Sequence, residues 1–218
     1  MPLITETIGT IKTRVKAWGV LMTHRRTLIL FPIVHTPEDL GGLADAAAQA
    51  RPTAMDRQRW HQVLDEVWRG IERAAAALPV AAQGWRVYQD GLPVCEHEQA
   101  IVADLAAGGS RNHRLVQRLV ERGARLMGTE SAELLVEEYQ LQKQLLEQDG
   151  DGNGEETRRL AAEILVRRDR FIAERIDQTL APGETGILFL GLVHDLERHL
   201  PPDIEVQQPA GRPDHGGG

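Results

Sequence analysis

The stretch GILFLGLVHDL, residues 186–196, is a short apolar run followed by a histidine and an aspartate. No polar residue interrupts the run before His194. Such a run is typical of a strand that is buried on both faces of a sheet. The pattern therefore predicts a strand over Gly186–Val193, with His194 and Asp195 where its carboxyl end meets water.

A second stretch, LILFPIVHTPED at residues 28–39, repeats this order of apolar run, histidine and acids. It predicts a first buried strand over Thr27–Val34. Thr36, Pro37 and the two acids after them are typical of the first turn of a helix. His35 is therefore predicted to lie in a turn between a strand and a helix.

Three weaker patterns predict the rest of the sheet. Trp85–Tyr88 is a short β-rich segment followed by Asp90, and Ala124–Met127 is followed by Glu130. Asp203–Val206 is predicted to be a fifth strand at an edge of the sheet. Because aspartate is common in turns of every kind, Asp90 is the weakest of the polar residues at strand ends.

Apolar residues at helical spacing predict the helices that cover this sheet. The patterns extend over 4–22, Asp56–Leu78, Glu96–Ala107, Ser110–Arg122, Ser131–Gln148 and Glu155–Leu180. The polar turn DGDGNG joins the last two into a long helical hairpin over residues 131–180. Trp60 and Trp68 fall on the apolar face of their helix and are predicted to be core residues.

Strands that alternate with helices predict a single α/β domain over residues 1–206, with a mainly parallel sheet of about four or five strands. Residues 207–218 are rich in Pro and Gly and are predicted to be a disordered tail. At 218 residues, with 42% hydrophobic and 26% charged residues, the chain is long enough for one compact core.

The composition also narrows the function classes. A net charge of −7, from 25 basic and 32 acidic residues, argues against a general nucleic-acid binder. Cys95 is the only cysteine, which excludes an internal disulfide and a zinc site with several thiolates. No segment approaches the ~20 apolar residues of a membrane span or resembles a signal peptide. We therefore expect a cytoplasmic protein that binds neither nucleic acid nor membrane.

Histidines and acids at strand ends point to a ligand site, because parallel sheets bind ligands outside the carboxyl ends of their strands. His35, Glu130, His194 and, less strongly, Asp90 are predicted to converge there. Imidazoles and carboxylates suit a divalent metal such as Zn or Mn, held by His35, His194 and Glu130, and a bound metal lowers the pKa of water. Without a metal, one histidine acts as a general base on water, oriented by Glu130 or Asp195. Both alternatives stay open.

Arg168 and Glu138 form a second predicted pair. On a helical wheel both charges fall within the apolar faces of their helices, whereas Arg167 and Glu137 fall outside. Folding the hairpin on its turn brings Arg168 and Glu138 to similar distances from that turn. Either the two form a buried ion pair between the helices, or Arg168 orients a catalytic carboxylate or binds an anionic substrate group, with Glu138 in support.

Two further features carry less weight. The turn Gly108-Gly109-Ser110-Arg111 follows a helix rather than a strand, so it favours an ordinary helix start over a phosphate site. The remaining histidines lie mostly on helices or in the tail and are predicted to be solvated.

The motifs resemble those of a known group. Gly191-Leu192-Val193-His194 has the G-x-x-H form found near the end of TraB/Tiki-type proteins, and Pro32-Ile33-Val34-His35 holds the place of their first G-x-x-H. The preceding helix resembles the group's R-N-x-x-M-x-x-x-I pattern, carried here by Arg168, Asp169, Ile172 and Ile176. The related erythromycin-esterase and ChaN-like proteins share the strand-end histidines. The resemblance covers mainly Leu28–Asp39 and Arg167–His194.

This resemblance implies hydrolysis at an α/β site, metal-dependent in the Tiki branch and histidine-based in the esterase branch. Pro32 replaces the first Gly, and Asp169 replaces Asn. The segments QDGLPVCEHE and MGTESAELLVEEY match nothing in these families. The metal and the substrate, a small molecule or a peptide, therefore stay open.

We predict a hydrolase in which His35, His194 and Glu130 surround water or a metal, with Arg168 and Glu138 in support. The alternative is a non-enzymatic module that binds a small ligand or pairs its helices with another chain. The predicted hairpin is as well suited to form a homodimer as to cover the sheet.

Overall fold

The computed structural model of the protein describes residues 25–35, 54–81, 83–147 and 154–209. Its strands are β1 (Arg26–Ile33), β2 (Trp85–Gln89), β3 (Arg125–Met127), β4 (Thr185–Gly191) and β5 (Ile204–Gln207). Its helices are α1 (Ala54–Ala77), α2 (Glu98–Ala107), α3 (Arg111–Glu121), α4 (Ala132–Glu147) and α5 (Gly154–Thr179). The five strands form one sheet in the order β3-β2-β4-β1-β5.

The predicted α/β architecture is confirmed, and all strand pairs of the described sheet are parallel. The elements begin and end within two residues of their predicted bounds. The last strong strand ends at Gly191 rather than Val193, because Leu192 and Val193 form an exposed turn. The fifth strand lies at the edge beside β1, as predicted.

Several predictions fall on residues outside the described ones. These are the helix over 4–22, the helix start at Thr36 and Pro37, the DGDGNG turn up to residue 153, and the tail from residue 210. The hairpin prediction is confirmed in its helices, since α4 and α5 pack against each other. Among the residues that the structure describes, no helix is long and apolar enough to cross a membrane.

Helices cover both faces of the sheet. On one face, Phe31 and Phe189 stack with ring centroids 5.2 Å apart, in a core shared with α1, α2 and α3. On the other face, Leu30 and Tyr88 belong to a core that includes the inner side of α5. The alternation follows from the two-residue period of a strand. The carboxyl edge of the sheet is therefore the place where polar side chains can collect.

The prediction that Trp60 is a core residue is wrong, whereas the same prediction for Trp68 is confirmed. Trp68 is buried with Ile71 against the sheet, but Trp60 is 49% exposed. Helix α1 has 24 residues and is thus about 36 Å long, longer than any strand of the sheet. Its carboxyl-terminal half reaches the sheet core. The apolar spacing of Trp60 and Val63, which come before that half, therefore does not lead to burial.

The prediction that His113 is solvated is also wrong. Ser110 caps α3, and its hydroxyl accepts a hydrogen bond from the His113 backbone N–H. The Ser110 hydroxyl also lies 2.7 Å from Nδ1 of the buried His113 ring. The cap draws this ring inward, and it makes the Gly-Gly-Ser-Arg turn a helix start, as predicted.

Candidate functional site

The polar residues converge between the carboxyl ends of β2 and β4. The chain leaving β2 leads to β3 at one edge of the sheet, and the chain leaving β4 leads to β5 at the opposite edge. Such a point of divergence opens a crevice in parallel α/β sheets. Asp90 follows β2 on one side of this crevice, and Gly191 ends β4 on the other.

The polar cluster consists of Asp90, His35, His194, Arg168 and Glu130. Asp90 lies at its centre, although its sequence context made it the weakest prediction. Its Oδ2 lies 2.9 Å from Nε2 of His35, accepts a 2.9 Å hydrogen bond from the Gly191 N–H, and lies 3.4 Å from Nε2 of His194. Its Oδ1 accepts a 2.7 Å bond from Nη2 of Arg168. Both strand-end histidines therefore meet at one carboxylate oxygen, as their predicted convergence requires.

The local backbone aims Asp90 at this position. Its N–H donates to the carbonyl of Phe189 at 2.9 Å, which extends the pairing of β2 with β4 by one residue. Gly91 follows with a φ of 75°, a conformation that glycine adopts without strain. The strand thus ends in a tight turn, with the Asp90 side chain directed at β4.

The environment keeps Asp90 ionised. Burial by itself raises the pKa of this carboxyl, but the bonds from His194 and His35 outweigh burial and hold the pKa well below its usual value. An ionised carboxylate can only accept hydrogen bonds. Nε2 of His35 therefore carries the proton that points at Asp90.

Gly191 is required by a close approach. A Cβ at this position would lie 2.9 Å from Oδ2 of Asp90 and 3.2 Å from Nε2 of His35. Any larger residue would separate the carboxylate from the backbone N–H that it binds. The glycine of the G-x-x-H motif therefore has a physical role that is independent of any resemblance.

His194 is held by two carboxylates. Its Nδ1 lies 2.6 Å from Oδ1 of Asp169, and Oδ2 of Asp169 accepts a 3.1 Å bond from the Asp195 N–H. Burial lowers the pKa of the ring, but the bonds to Asp169 and Asp90 overcome burial and raise the pKa to about 9. His194 is therefore an imidazolium at neutral pH.

This arrangement corrects the prediction that Glu130 or Asp195 orients a histidine. Asp169 and Asp90 orient His194, and Asp90 orients His35. The Asp195 side chain is exposed and lies 3.4 Å from Arg198.

Arg168 joins three carboxylates from three parts of the chain. Its Nη1 donates to Glu138 at 2.7 Å, so the predicted contact between these two residues is confirmed. Its Nε and Nη2 form a fork on Glu130, at 3.2 and 2.6 Å, and Nη2 also reaches Asp90. A planar guanidinium is suited to such two-atom contacts with carboxylates.

Glu130 is fully buried beside this arginine. Its backbone N–H donates to the Leu92 carbonyl at 3.0 Å, which ties β3's exit to the turn after β2. Burial raises the pKa of Glu130 to about 7, although bonds from Arg168 oppose this shift, and the charge of Asp90 adds to it. Glu130 therefore exchanges a proton near neutral pH.

Solvent reaches only part of the cluster. The side chains of Asp90, Glu130, Arg168 and Asp169 are buried, and the ring of His194 is also shielded. The side chains of His35 and Glu138 are 29% and 27% exposed. Of the two histidines, His35 is therefore the one whose side chain is partly exposed to solvent.

A cavity of about 430 Å³ lies beside the cluster, at the carboxyl ends of β1 and β4. His194 borders it, and most of its other lining residues are apolar: Leu30, Pro32, Leu190, Leu192 and Leu196. Small-ligand sites commonly have this size and combine apolar walls with few polar groups.

Asp90, Glu130 and His194 form a group that could hold a metal ion, with one ligand atom of each within 4.8 Å of the others. The predicted ligand set was His35, His194 and Glu130, so Asp90 takes the place of His35 in this group. Oxygen and imidazole donors fit Zn or Mn. However, a metal would have to displace the proton of His194 and share the acids with Arg168.

The position of Asp169 in the sequence indicates a buried acid, although Asp169 is not among the predicted site residues. It stands next to Arg168 and precedes Ile172 by one helical turn, which places it on the buried face of α5. A charged residue on such a face needs a partner, and the histidine after the next strand supplies it.

Known proteins provide no further guide to this site. No protein-family model matches the chain, and neither a curated protein nor a solved structure matches it.

Proposed function

We propose that the protein is a hydrolase in which His35 is the general base and Asp90 orients it. One observation carries the proposal: Nε2 of His35, the accessible histidine, lies 2.9 Å from Oδ2 of the buried Asp90 carboxylate. A carboxylate in this position fixes the tautomer of the ring and stabilises the imidazolium that forms during the reaction.

The chemistry follows from that tautomer. With its proton on Nε2, His35 is basic at Nδ1, where it takes a proton from water. The oxygen of that water attacks the carbonyl carbon of an ester or amide, and the leaving group departs with the proton that His35 returns. A well-placed general base contributes roughly 10²–10⁴-fold to the rate.

The other residues act through Asp90. Arg168 and the imidazolium of His194 surround this carboxylate with positive charge, which keeps it ionised and fixed in direction. Glu130 and Glu138 hold the guanidinium of Arg168 in place. We class these four as positioning residues and keep the catalytic role for His35.

The resemblance to the erythromycin-esterase branch supports the same chemistry, because that branch implies histidine-based hydrolysis. The cavity lined by Gly191 and His194 supports a small substrate with a hydrophobic part next to these residues, although His35 itself does not line it. The replacement of the motif's Asn by Asp169 also agrees with this proposal, since an acid at that position pairs with His194.

The proposal is tested by a panel of chromogenic esters, amides and phosphoesters. We expect the wild-type protein to hydrolyse at least one ester or amide, and His35→Ala to lower kcat/KM about 100-fold or more. His61→Ala is the matched control, since His61 is exposed on α1. If His35→Ala folds normally and retains the activity, the role of His35 is wrong.

A metal-assisted hydrolase is the second candidate, favoured by the group formed by Asp90, Glu130 and His194. These residues would hold the ion, which would supply a hydroxide at neutral pH. Elemental analysis of protein purified without chelator tests it. A stoichiometric metal that is lost in Asp90→Asn supports this candidate, and metal-free protein with full activity excludes it.

A non-enzymatic module is the third candidate, favoured by the network in which Arg168 binds Glu130, Glu138 and Asp90 with all three of its guanidinium nitrogens. A network of this kind can have a purely structural role, which is to hold α5 against the sheet. The panel separates this candidate from the others. Absence of turnover in every substrate class, together with an unchanged fold in His35→Ala, favours the module.

A further inference from the structure

A groove lined by arginines separates α1 and α3, on the face of the sheet opposite to α5. Arg69 and Arg73 of α1 line one side, and Arg118 and Arg122 of α3 line the other, around a volume of about 640 Å³. A second hollow of about 260 Å³ continues it to Arg111 and Arg114. We call these two connected hollows the arginine groove; His35 and Asp90 do not line it.

Polar contacts tie the two helices together along this groove. Arg111 binds Asp65 at 2.5 Å and Glu72 at 3.0 Å. Further along, Arg122 donates to the carbonyls of Ala75 and Leu78. Arg114 donates to the carbonyls of Ser110 and Gly109 in a similar way. The positive charges of these three arginines are therefore held at fixed positions along the groove, while their N–H groups bind residues of the chain.

The groove carries a surplus of positive charge on a chain whose net charge is −7. Six arginines border it, and the acids that contact them are Asp65 and Glu72. Glu72 is already bound by Arg111 and lies 4.0 Å from Arg118. The exposed side chain of Arg73 makes no hydrogen bond or ion pair among the described residues. The charge surplus therefore faces solvent.

The spacing of the arginines is regular. Arg111, Arg114, Arg118 and Arg122 follow one another at three or four residues along α3, and Arg69 and Arg73 do so along α1. Each step is one helical turn, about 5.4 Å. A ligand that matches this row presents acids at the same interval along a line.

We propose that the arginine groove docks an acidic helical segment of a partner protein. A helix with glutamates at every fourth position presents carboxylates one turn apart, which matches the spacing of the positive charges along the arginine rows. Arg73 and Arg118 make no side-chain hydrogen bond among the described residues, so their guanidinium groups can bind carboxylates by two atoms. Recognition of an acidic segment by a cluster of arginines is a common mode of peptide recognition. The interaction is independent of the proposed hydrolysis.

Nucleic acid fits the groove less well. Single strands bind through aromatic stacking as well as charge, and no aromatic side chain lines the groove. Duplex DNA is read by elements that protrude into its grooves, whereas the arginines here line a concave surface.

The test uses the full chain and three fluorescent probes: a synthetic helical peptide with glutamates at every fourth position, inorganic tripolyphosphate carrying a dye, and a short DNA duplex. We expect the peptide to bind in low salt, and its glutamine counterpart not to bind. Arg73→Glu with Arg118→Glu should weaken binding at least about tenfold, because it places like charges opposite the peptide.

The matched control is Arg158→Glu with Arg170→Glu, which makes the same change of net charge on exposed positions of α5. This control should bind the peptide within about twofold of wild type. Equal loss of binding in both double variants would overturn the groove as the site. Tighter binding of tripolyphosphate or duplex than of the peptide, or no binding of any probe, would overturn the acidic helix as its occupant.

Discussion

Two consecutive arginines of α5 pair with two consecutive glutamates of α4, in very different surroundings. Arg167 lies 2.8 Å from Glu137, and Arg168 lies 2.7 Å from Glu138. The contacts are thus almost equal in length. The side chain of Arg167, however, is 53% exposed, whereas that of Arg168 is 7% exposed and also binds two buried acids.

The comparison shows that distance alone does not determine how much an ion pair contributes to the free energy of unfolding. An exposed pair such as Arg167 with Glu137 contributes about 0–1 kcal/mol, because water screens both charges. Removal of a buried partner leaves the other charge uncompensated, at a cost of about 3–5 kcal/mol. The one-residue step from Arg167 to Arg168 therefore crosses from a solvated contact to the centre of the candidate site.

The largest expected effect is that of Arg168→Met. It should lower the free energy of unfolding by about 3–5 kcal/mol in urea titrations at pH 7, because Asp90 and Glu130 stay buried without their guanidinium. Arg167→Met is the matched control and should cost less than about 1 kcal/mol. Equal losses in the two variants would show that burial does not separate the pairs.

The pH dependence of the free energy of unfolding should come from the buried residues of the site and not from the exposed pair of Arg167 and Glu137. The pKa of His194 rises from 6.5 to about 9 on folding, so its contribution is present below pH 6.5 and is lost as the pH rises through 9. At about 1.4 kcal/mol per pKa unit, the loss is on the order of 3 kcal/mol. Glu130 acts in the same direction at lower pH, because its pKa rises to about 7.

Urea titrations between pH 6 and 10, with EDTA present to exclude bound metal, measure this loss. His194→Gln should flatten the profile above pH 6.5, whereas Arg167→Met should leave its slope unchanged. A wild-type stability that is constant over this range would contradict the imidazolium assigned to His194.

Gly191→Ala tests the close packing around Asp90. The added methyl group meets Oδ2 of Asp90 and the His35 ring, so we expect a loss of about 1–3 kcal/mol in the free energy of unfolding. Gly70→Ala is the control, since a Cβ there has nothing within 4 Å and alanine favours a helix. A loss in Gly191→Ala no larger than the effect of Gly70→Ala would mean that this glycine is not required.

The smallest contrast lies between the two glutamates. Glu138→Gln keeps the shape of the side chain but removes one of the charges on Arg168, which should cost about 1 kcal/mol. Glu137→Gln should cost less than about 0.5 kcal/mol, because its partner is solvated. Thermal unfolding of both variants at pH 7 measures the difference, and a reversed order would contradict the contrast.

Much of this site follows from periodicity in the sequence. The apolar runs before His35 and His194 mark where two buried strands end, and parallel strands bring such ends to one edge. The helical wheel places Arg168 and Glu138, but not Arg167 and Glu137, on buried faces. The contacts of the structure agree with that division.

The role of Asp90 depends on strand order, which local patterns do not contain. Because β4 lies between β1 and β2, Asp90 and Gly191 become neighbours although 101 residues separate them in the chain. An aspartate in a turn looks the same whether or not a strand lies beside it. The prediction that Trp60 is a core residue is wrong for a related reason, since apolar spacing does not tell how far a helix extends past its sheet.

The central claim, that His35 is the general base of a hydrolytic site, is tested most directly by His35→Gln. Turnover of any ester or amide that the wild type hydrolyses and the free energy of unfolding are measured on the same samples. We predict a loss of kcat/KM of about 100-fold or more, with stability within about 1 kcal/mol of wild type because the His35 side chain is partly exposed. A folded variant with wild-type turnover would contradict the claim.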